Sequence, residues 1–407
     1  MQKGRIEELR TIYRKALLDD VIPFWLTHSL DRQYGGYLTC LDRQGAAYNT
    51  DKSIILQGRE IWVFSRLYNT LSPRKEWLDA ARTGYEFVST FGFDTDRRMF
   101  FSVTRDGRPL RKRRYFYAEA FATIGFSEYA KASGNSTALE LSRDLYRRTV
   151  LLYHHPELLP AKVFPETRQT KALLNQLILL TVCQELRHSD TAGQYSGVLD
   201  EVVQQLLRDF VDPRGPVLLE TVGAKGEHLD SPEGRCVNPG HAVECSWHLL
   251  HEAIYRNDHR LEGAALEILE GSLQLGWDNE QGGLFAFVDI EGRPPEQLEW
   301  DMKLWWPHNE ALYATLLAYQ LTGRTTYLDW FERIHERTFS HFPDPQFGGW
   351  FGYLHRDGTV ALPVKGSLWK GVLHEPRCLV QCLAVLDRMA GEGTEQDSNR
   401  TEPTSYS

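Results

Sequence analysis

The feature that most constrains the fold is a hairpin pattern that recurs along the chain. Each copy is an aromatic or β-branched run, then a charged turn that ends in Gly, then a short extended return. Gly supplies the positive φ that such turns require. The five copies span residues 34–48, 99–110, 215–229, 282–295 and 348–362. Five copies indicate one repeated structural unit and not a chance resemblance.

The spacing of the turn glycines sets the number of units. Gly45, Gly107, Gly226, Gly292 and Gly358 are separated by 62, 119, 66 and 66 residues. Because 119 residues is nearly two periods, we place a degenerate copy near residues 158–168. The sequence therefore predicts six units.

Between the hairpins the apolar periodicity is helical, usually in two consecutive segments. Residues 170–187 are apolar almost all round and fit an inner helix, whereas residues 325–341 carry a charged face and fit an outer one. The first helical segment, 5–24, supplies the partner of the last, 374–390. The sequence therefore predicts an all-α fold, an (α/α)₆ barrel of six inner and six outer helices, with short β-hairpins in the connecting loops.

Composition agrees with one large globular domain. Hydrophobic residues make up 42% of the 407 residues and charged residues 25%, which allows a substantial core. We predict one barrel domain over residues 1–390 and a disordered polar tail over residues 391–407.

Charge and hydropathy exclude several kinds of partner. The net charge of −9 argues against nucleic acid, because phosphate binding needs a basic face. No run of eighteen apolar residues occurs, so no segment is expected to span a membrane. The charged start of the chain lacks the apolar core of a signal peptide, and six scattered cysteines fit free thiols in a reducing compartment. We therefore expect a cytoplasmic protein.

Three inner helices begin with a histidine and a proline, in residues 238–241, 306–310 and 374–377. Proline is accepted there because its missing N–H has no helical partner in any case. Glu244 follows His241 by three residues and Arg377 follows His374 by three, which places each pair on one helix face. The positive end of the helix dipole is expected to favour neutral imidazole, the basic form. A histidine at a helix start can also be purely structural, and the pattern alone leaves both possibilities open.

Aromatic and cationic side chains accompany these helix starts. Trp247, Trp305, Trp306 and Trp369 fit either a sugar-binding surface or the core. Arg59 lies in an otherwise apolar segment and is either a substrate clamp or one half of a structural ion pair.

Other chemistries lack their sequence motifs. The chain has no GxGxxG or GxxxxGK[ST] before a helix and no GxSxG elbow. The run His248-Leu-Leu-His251-Glu252 inverts the order of zinc-protease ligands. We expect neither a nucleotide cofactor nor a metal.

Several segments resemble the N-acylglucosamine 2-epimerases: NPGHAVECSW, KLWWPHNEA and KGSLWKGVLHEPRCL. The resemblance runs from about residue 8 to about residue 385. It implies an (α/α)₆ barrel, a homodimer, and interconversion of N-acetylglucosamine and N-acetylmannosamine with no required cofactor. It also implies ATP as a possible allosteric activator.

The same resemblance assigns roles to individual residues. The catalytic pair falls on His241 and His374. Substrate-binding positions are Arg59, Lys162, Glu244, Glu310 and Arg377, and we add Trp305 to them. No residue is assigned to a metal.

Epimerisation at C2 suits two histidines, because one base removes the proton and an acid returns it on the opposite face. Related aldose–ketose isomerases and cellobiose-type 2-epimerases carry an additional histidine near residues 170–180, where this chain has Leu174, Asn175 and Leu177. This difference favours N-acylhexosamine as the substrate. An isomerase or cellobiose-type epimerase stays an alternative, as do a glycoside hydrolase and a non-catalytic binding protein.

Overall fold

The computed structural model describes residues 1–112, 115–160, 164 and 166–391, so Lys162 and the predicted tail beyond residue 391 lie outside the described residues. The chain divides into two compact units. Unit 1 comprises Met1–Ile22, Arg208–Leu362 and the chain from His374 onward. Unit 2 comprises Pro23–Leu207 and Pro363–Leu373. The prediction of one domain over residues 1–390 stays a prediction.

Most α-helices occur where the periodicity predicts them, to within a few residues at most ends. They are α1 Lys3–Lys15, α2 Ile22–His28, α3 Ile54–Thr70, α4 Lys75–Phe91, α5 Tyr117–Ser133, α6 Ser136–His154, α7 Leu173–Ser189, α8 Ser196–Gln205, α9 Pro232–Arg235, α10 Pro239–Arg256, α11 His259–Gly276, α12 Trp305–Thr322, α13 Thr325–His341 and α14 His374–Ala390. Two π-helical turns, Ala16–Val21 and Leu206–Phe210, and the 3₁₀ turn Pro156–Leu158 complete the helical structure of the described residues. The short α9 was not predicted, and the predicted segment 5–24 is divided into α1, a π-helical turn and the start of α2. None of the helices in these ranges is both long and apolar enough to cross a membrane.

The strands are short and lie in the connections. They are β1 Cys40–Leu41, β2 Ala47–Asn49, β3 Lys52–Ser53, β4 Phe100–Val103, β5 Pro109–Lys112, β6 Thr170–Ala172, β7 Thr221–Gly223, β8 Cys236–Val237, β9 Val288–Asp289, β10 Lys303–Leu304, β11 Tyr353–Leu354 and β12 Val360–Leu362.

Unit 1 contains three inner helices that pack side by side. Helix α10 contacts α12, and α12 contacts α14. One outer helix covers each of them: α11 covers α10, α13 covers α12, and α1 covers α14. Helix α13 buries one stripe that includes Tyr327, Phe331 and Ile334, as expected for an amphipathic outer helix.

Unit 2 repeats this arrangement with α3, α5 and α7 as neighbouring inner helices and α4, α6 and α8 as their covers. Helices α3 and α5 approach closely because a glycine lies on each at the crossing. A Cβ added to Gly58 would lie 2.6 Å from the Phe121 carbonyl carbon, and one added to Gly125 would lie 2.6 Å from the Gly58 carbonyl oxygen. Glycine is therefore required at both positions.

Three helix pairs in each unit account for the six predicted pairs. The pairing of the first and last helices is also confirmed, since α1 packs on α14. The Arg10 guanidinium donates to the Asp387 carboxylate at 2.7 Å across this pair.

Each predicted hairpin glycine has positive φ: 88° for Gly45, 92° for Gly107, 84° for Gly226, 73° for Gly292 and 94° for Gly358. The hairpins β1–β2, β4–β5 and β11–β12 form as predicted. The copy at residues 282–295 differs, because β9 pairs with β8 and not with its own return.

The hairpins dock on the residues that enter inner helices. Strand β4 pairs with β3, which leads into α3, and β11 pairs with β10, which leads into α12. Strand β9 pairs in the same way with β8, just before α10. The ladders thereby fix the backbone at the first turns of these helices, where the candidate site residues lie.

A buried Asp–Lys–Arg cluster supports one such junction in each unit. In unit 2 the Asp31 carboxylate accepts from Lys52 Nζ at 2.9 Å and from Arg105 at 2.8 and 2.9 Å. In unit 1 Asp278 accepts from Lys303 Nζ at 3.0 Å and from Arg356 at 2.7 and 3.0 Å. Each lysine lies in the strand before an inner helix, so the cluster ties that strand to a turn and to a hairpin.

Replacing Asp278 with Asn lowers the free energy of unfolding by about 3 kcal/mol, because it leaves the charge of buried Lys303 uncompensated. Glu280→Gln is the control, since Glu280 also accepts from Arg356, at 2.9 Å, but is exposed; we expect a loss below about 1 kcal/mol. Urea unfolding of both variants measures the difference, and equal losses would contradict the role of burial.

The loss of stability in Asp278→Asn should also depend on pH. Burial raises the pKa of Asp278, but the bonds from Arg356 and Lys303 outweigh it and hold this pKa well below its usual range. A lowered carboxyl pKa stabilises the fold above the ordinary pKa, about 4, and this contribution is lost on acidification. The stability difference between wild type and Asp278→Asn therefore shrinks as the pH falls below about 4.

Candidate functional site

The first turn of α10 presents His241. The Asn238 side chain caps the helix by accepting from the His241 backbone N–H at 3.1 Å, and Pro239 occupies the position after the cap. This combination starts the helix sharply and therefore fixes where the His241 ring leaves the backbone.

The His241 ring is held by a carboxylate that was not among the predicted site residues. Glu220 places its two oxygens 3.0 and 3.1 Å from His241 Nδ1. The Glu220 backbone N–H donates to the Cys236 carbonyl at 2.9 Å, two residues before the Asn238 cap. Because a carboxylate only accepts, Nδ1 carries the proton, and proton exchange with a substrate falls to Nε2.

The electrostatics of His241 correct one expectation. Burial lowers the pKa of His241, but the adjacent Glu220 carboxylate, with smaller effects from Glu244 and Glu310, outweighs burial and raises it. The expectation that the helix dipole keeps this imidazole neutral is therefore wrong, because a carboxylate at contact distance exceeds the partial charge of a helix end.

His374 is held in the same manner at the first residue of α14. Its Nδ1 lies 2.6 Å from Glu310 Oε1, so Nδ1 donates and Nε2 is again the nitrogen for proton transfer. The His374 side chain is buried, with 9% exposure against 18% for His241.

Glu310 is the centre of a buried network. Its Oε1 also accepts from Arg377 Nη2 at 2.7 Å, and its Oε2 accepts from Trp247 Nε1 at 2.9 Å. Arg377 Nη2 donates to Glu244 Oε1 as well. One guanidinium thereby joins the carboxylates of α10 and α12, and Glu310 fixes both His374 and Arg377.

Trp306 lies between the two histidines. Its ring centroid is 5.0 Å from that of His241 and 5.7 Å from that of His374. Trp305 is buried and meets the His374 ring edge-on at 6.0 Å. Both imidazole rings therefore lie against one indole ring.

The third helix-start histidine has a structural role. His308 is fully buried, its Nδ1 donates to the Leu304 carbonyl at 2.6 Å, and its Nε2 accepts from the Leu284 N–H at 3.0 Å. Burial, partly opposed by the bond to Leu304, lowers the pKa of His308 to about 3. Since both nitrogens are engaged by backbone, His308 is excluded from the site.

The structure brings together His241, Glu244, Trp305, Glu310, His374 and Arg377, all within unit 1. Arg59 belongs to unit 2, where its guanidinium lies 4.2 Å from the Phe121 ring centroid. Trp369 is also in unit 2 and is 57% exposed. Lys162 lies outside the described residues.

Glu244, Glu310 and His374 each place a possible metal-ligand atom within 4.8 Å of the others. Their oxygens and imidazole suit a divalent cation in principle. However, Arg377 donates to both carboxylates, and Glu310 also accepts from His374 and Trp247. A metal ion would have to displace these donors, so the arrangement is that of an ion-paired network.

Glu220 had no signal in the sequence that relates it to His241. It lies in the 215–229 hairpin copy, 21 residues before His241, with no helical or strand spacing that relates the two. Only the pairing between the Glu220 backbone and Cys236 brings them together.

Comparisons with known proteins identify the relatives of this chain. The family model described as N-acylglucosamine 2-epimerase (GlcNAc 2-epimerase) matches residues 36–373. The N-acylglucosamine 2-epimerase of Bos taurus is 38% identical over 380 residues, which cover 91% of this chain and 90% of that protein. A cellobiose 2-epimerase of Dictyoglomus turgidum is 25% identical over 94% of this chain and 100% of that protein.

The solved structure of cellobiose 2-epimerase from Spirochaeta thermophila matches with a TM-score of 0.82 and 22% identity, covering 95% of this chain and 98% of that one. This likeness confirms the predicted fold, an (α/α)₆ barrel. The relatives carry epimerase names, and epimerases are isomerases. Both the family model and the 38% identity extend over most of the chain, and the protein is therefore a member of the N-acylglucosamine 2-epimerase family.

Proposed function

We propose that this protein interconverts N-acetyl-D-glucosamine and N-acetyl-D-mannosamine by removing and returning a proton at C2. The observation that carries the proposal is the matched pair of imidazoles, His241 and His374. Each is bound through Nδ1 to a carboxylate and each lies within 6 Å of Trp306, centroid to centroid. Family membership supports the same chemistry and the same substrate class.

The chemistry begins with the open-chain sugar, because only the C1 aldehyde makes the C2 proton acidic. A neutral imidazole takes that proton at Nε2, and the C2–H electron pair moves into the C1–O1 system as an enolate. The other histidine, as imidazolium, then donates its Nε2 proton to the opposite face of C2. The net charge is unchanged, and the roles of the two histidines exchange in the reverse direction.

The neighbouring groups support both steps. The Glu310 and Glu220 carboxylates accept the Nδ1 proton and stabilise the imidazolium form of each ring. Arg377 and Glu244 are proposed to bind substrate hydroxyl or amide groups, and Trp305 and Trp306 to pack against the sugar ring. The substrate-binding roles of Arg59 and Lys162 stay predictions from the family resemblance.

The start of α7 supports an N-acylhexosamine over a free aldose or a disaccharide. It offers Asn175, whose Oδ1 accepts from Tyr117 OH at 3.0 Å, and Leu177, which is buried. By the family resemblance, the related isomerases and cellobiose-type epimerases carry an additional histidine near residues 170–180, and this turn holds none.

We expect kcat/KM for N-acetylmannosamine to exceed that for mannose and for cellobiose by at least about a hundredfold, because a mismatched polar group in a site is strongly penalised. Incubation in D₂O, with NMR detection of H2 exchange and of the epimer formed, measures all three substrates. Conversion of mannose to fructose at a comparable rate would place the protein with the isomerases and contradict the assignment.

We propose further that the reaction needs no cofactor and that ATP is at most an allosteric activator. The proton transfers above use the two histidines and no redox step. Dialysis against a chelator followed by charcoal treatment should therefore leave basal turnover intact, with or without added ATP. A loss restored only by a divalent metal or by NAD would overturn this proposal.

A cytoplasmic homodimer is also part of the proposal. Family resemblance supports the dimer, and six buried cysteine thiols without disulfide bonds are compatible with a reducing compartment. Sedimentation equilibrium tests the dimer, and cell fractionation tests the compartment.

A further inference from the structure

The two imidazole–carboxylate pairs are alike in geometry but not in charge balance. Glu310, the partner of His374, also receives the Arg377 guanidinium at 2.7 Å, so its negative charge is shared with a cation. Glu220 directs both of its oxygens at His241 Nδ1, and its ion pair is with that imidazole. Among the residues that the structure describes, no arginine shares the charge of the carboxylate that His241 faces.

The wider surroundings add to this asymmetry. Among the described residues, the carboxylates that raise the pKa of His241 are Glu220 from the segment before β7, Glu244 from its own helix, and Glu310 from α12. The one arginine of the network, Arg377, bonds to Glu244 and Glu310. Three carboxylates against one guanidinium favour a positive charge on His241.

His374 differs from His241 because a guanidinium shares the charge of the carboxylates beside it. Arg377 Nη2 lies 3.3 Å from His374 Nδ1, a contact between two N–H-bearing atoms, since Nδ1 already donates to Glu310. A positive charge on His374 would lie against the positive charge of the Arg377 guanidinium in a buried site, which costs free energy. Of the two rings, His241 is therefore the one that carries a positive charge more readily.

We propose that Glu220 is the positioning residue for His241, and that it keeps His241 protonated on both nitrogens so that His241 is the acid and His374 the base in the resting enzyme. The inference rests on the proposed C2 epimerisation. Glu220 acts through His241 and is not assigned any contact with the sugar. In the resting enzyme, His374 is therefore ready to remove the proton from the epimer whose H2 faces it. The reverse reaction starts from the other protonation form, with His241 neutral and His374 charged, which is less populated.

The backbone supports this role for Glu220. Its N–H is tied to Cys236 O at 2.9 Å, and Cys236 lies in β8, directly before the α10 cap. This bond ties the backbone of Glu220 to the strand that leads into the helix of His241. Precise support of this kind is what a proton-transfer group requires.

Glu220→Gln is the main test. We expect kcat for epimerisation to fall at least about tenfold while KM changes less than about threefold, since the acid is weakened and mispositioned and the sugar contacts are kept. The alkaline limb of the kcat/KM profile, which reports loss of the acid's proton, should move to lower pH. In D₂O, H2 exchange without inversion should increase relative to epimerisation for the epimer that His374 deprotonates.

The matched control is Glu262→Gln. Glu262 also binds a histidine, with its carboxylate 3.3 Å from His259 Nδ1, but on the exposed surface of α11. This variant should keep wild-type kcat, pH profile and exchange pattern. Glu220→Asp retains the charge with a shorter side chain; we expect its alkaline limb near that of wild type and its kcat reduced at least about threefold by the longer gap to Nδ1.

The outcomes separate the two levels of the proposal. If the wild type exchanges H2 but Glu220→Gln keeps the wild-type alkaline limb and exchange pattern, the role of Glu220 is wrong and the epimerase proposal stands. If the wild type neither exchanges nor inverts H2 of N-acetylmannosamine, the proposed function itself fails. Should circular dichroism show that Glu220→Gln is unfolded, an unchanged kcat in Glu220→Asp would overturn the positioning role.

Discussion

Replacing His241 or His374 with alanine lowers kcat for epimerisation of N-acetylmannosamine by at least about a thousandfold in each case. The reason is that inversion at C2 needs a base on one face and an acid on the other, so neither histidine can substitute for its partner. Both side chains lie in the first turn of their helices. His374→Ala removes one hydrogen bond between α14 and α12, but Arg377 still joins the two helices through Glu310. Far-ultraviolet circular dichroism should therefore be unchanged.

Isotope exchange sharpens this expectation. Each variant keeps one imidazole, which can still remove H2 from the one epimer that presents its proton to that face. Residual H2 exchange should thus appear with opposite epimers in the two variants. His259→Ala is the control, because His259 also begins a helix, α11, but is 85% exposed. Retention of more than a few per cent of activity by either His241→Ala or His374→Ala would contradict the two-base assignment.

The fold was largely predictable because it repeats. A positive-φ glycine at the same point of each hairpin, such as Gly107 or Gly358, is visible in the sequence as a turn signal, and the structure has both in that conformation. Helical periodicity separated inner from outer helices, since α12 is buried on nearly every side and α13 on one stripe only. Such local signals add up over six units, and errors of a residue or two at helix ends do not change the architecture.

The Asp–Lys–Arg clusters show a signal that periodicity does not capture. Asp31 and Asp278 each precede a Gly-Gly pair by four residues, and Lys52 and Lys303 each lie just before an inner helix. The arginines, Arg105 and Arg356, each come from an Arg-Asp-Gly turn. These polar residues recur at fixed points of the repeat, but a pattern of apolar runs and turn glycines does not include them. The clusters therefore become visible only when the polar positions of the repeats are aligned as well.

The candidate site was predictable in part. His241 and His374 stand out because each lies at a helix start near a proline and has a polar residue three positions later. His308 also lies at a helix start beside a proline, but residue 311 is Ala. It is structural, since the folded chain brings the Leu284 N–H to its Nε2. Glu220 could not be predicted, because its contact with His241 depends on a backbone pairing with Cys236. Residues on one helix are related by spacing, and residues on different elements are related only by packing.

Glu310→Gln has the second large effect that we expect, and it acts on activity and stability together. The Glu310 carboxylate accepts from His374 Nδ1, Arg377 Nη2 and Trp247 Nε1 while only 2% exposed. A neutral amide has one acceptor oxygen, and its NH₂ group would oppose one of these donors. His374 then loses its fixed tautomer, for which we expect a loss in kcat of at least about a thousandfold.

Stability falls for a separate reason. Arg377 is buried and keeps only the Glu244 carboxylate as a charged partner once Glu310 is neutral. Breaking a buried ion pair by removing one partner costs about 3 kcal/mol, measured as a shift in the urea midpoint. Glu332→Gln is the matched control, because Glu332 also binds an arginine, Arg5, with both oxygens, at 2.6 and 3.1 Å, but is 37% exposed; we expect it to lose less than about 1 kcal/mol. A Glu310→Gln protein as stable and as active as the wild type would show that the His374–Glu310–Arg377 network organises neither the fold nor the chemistry.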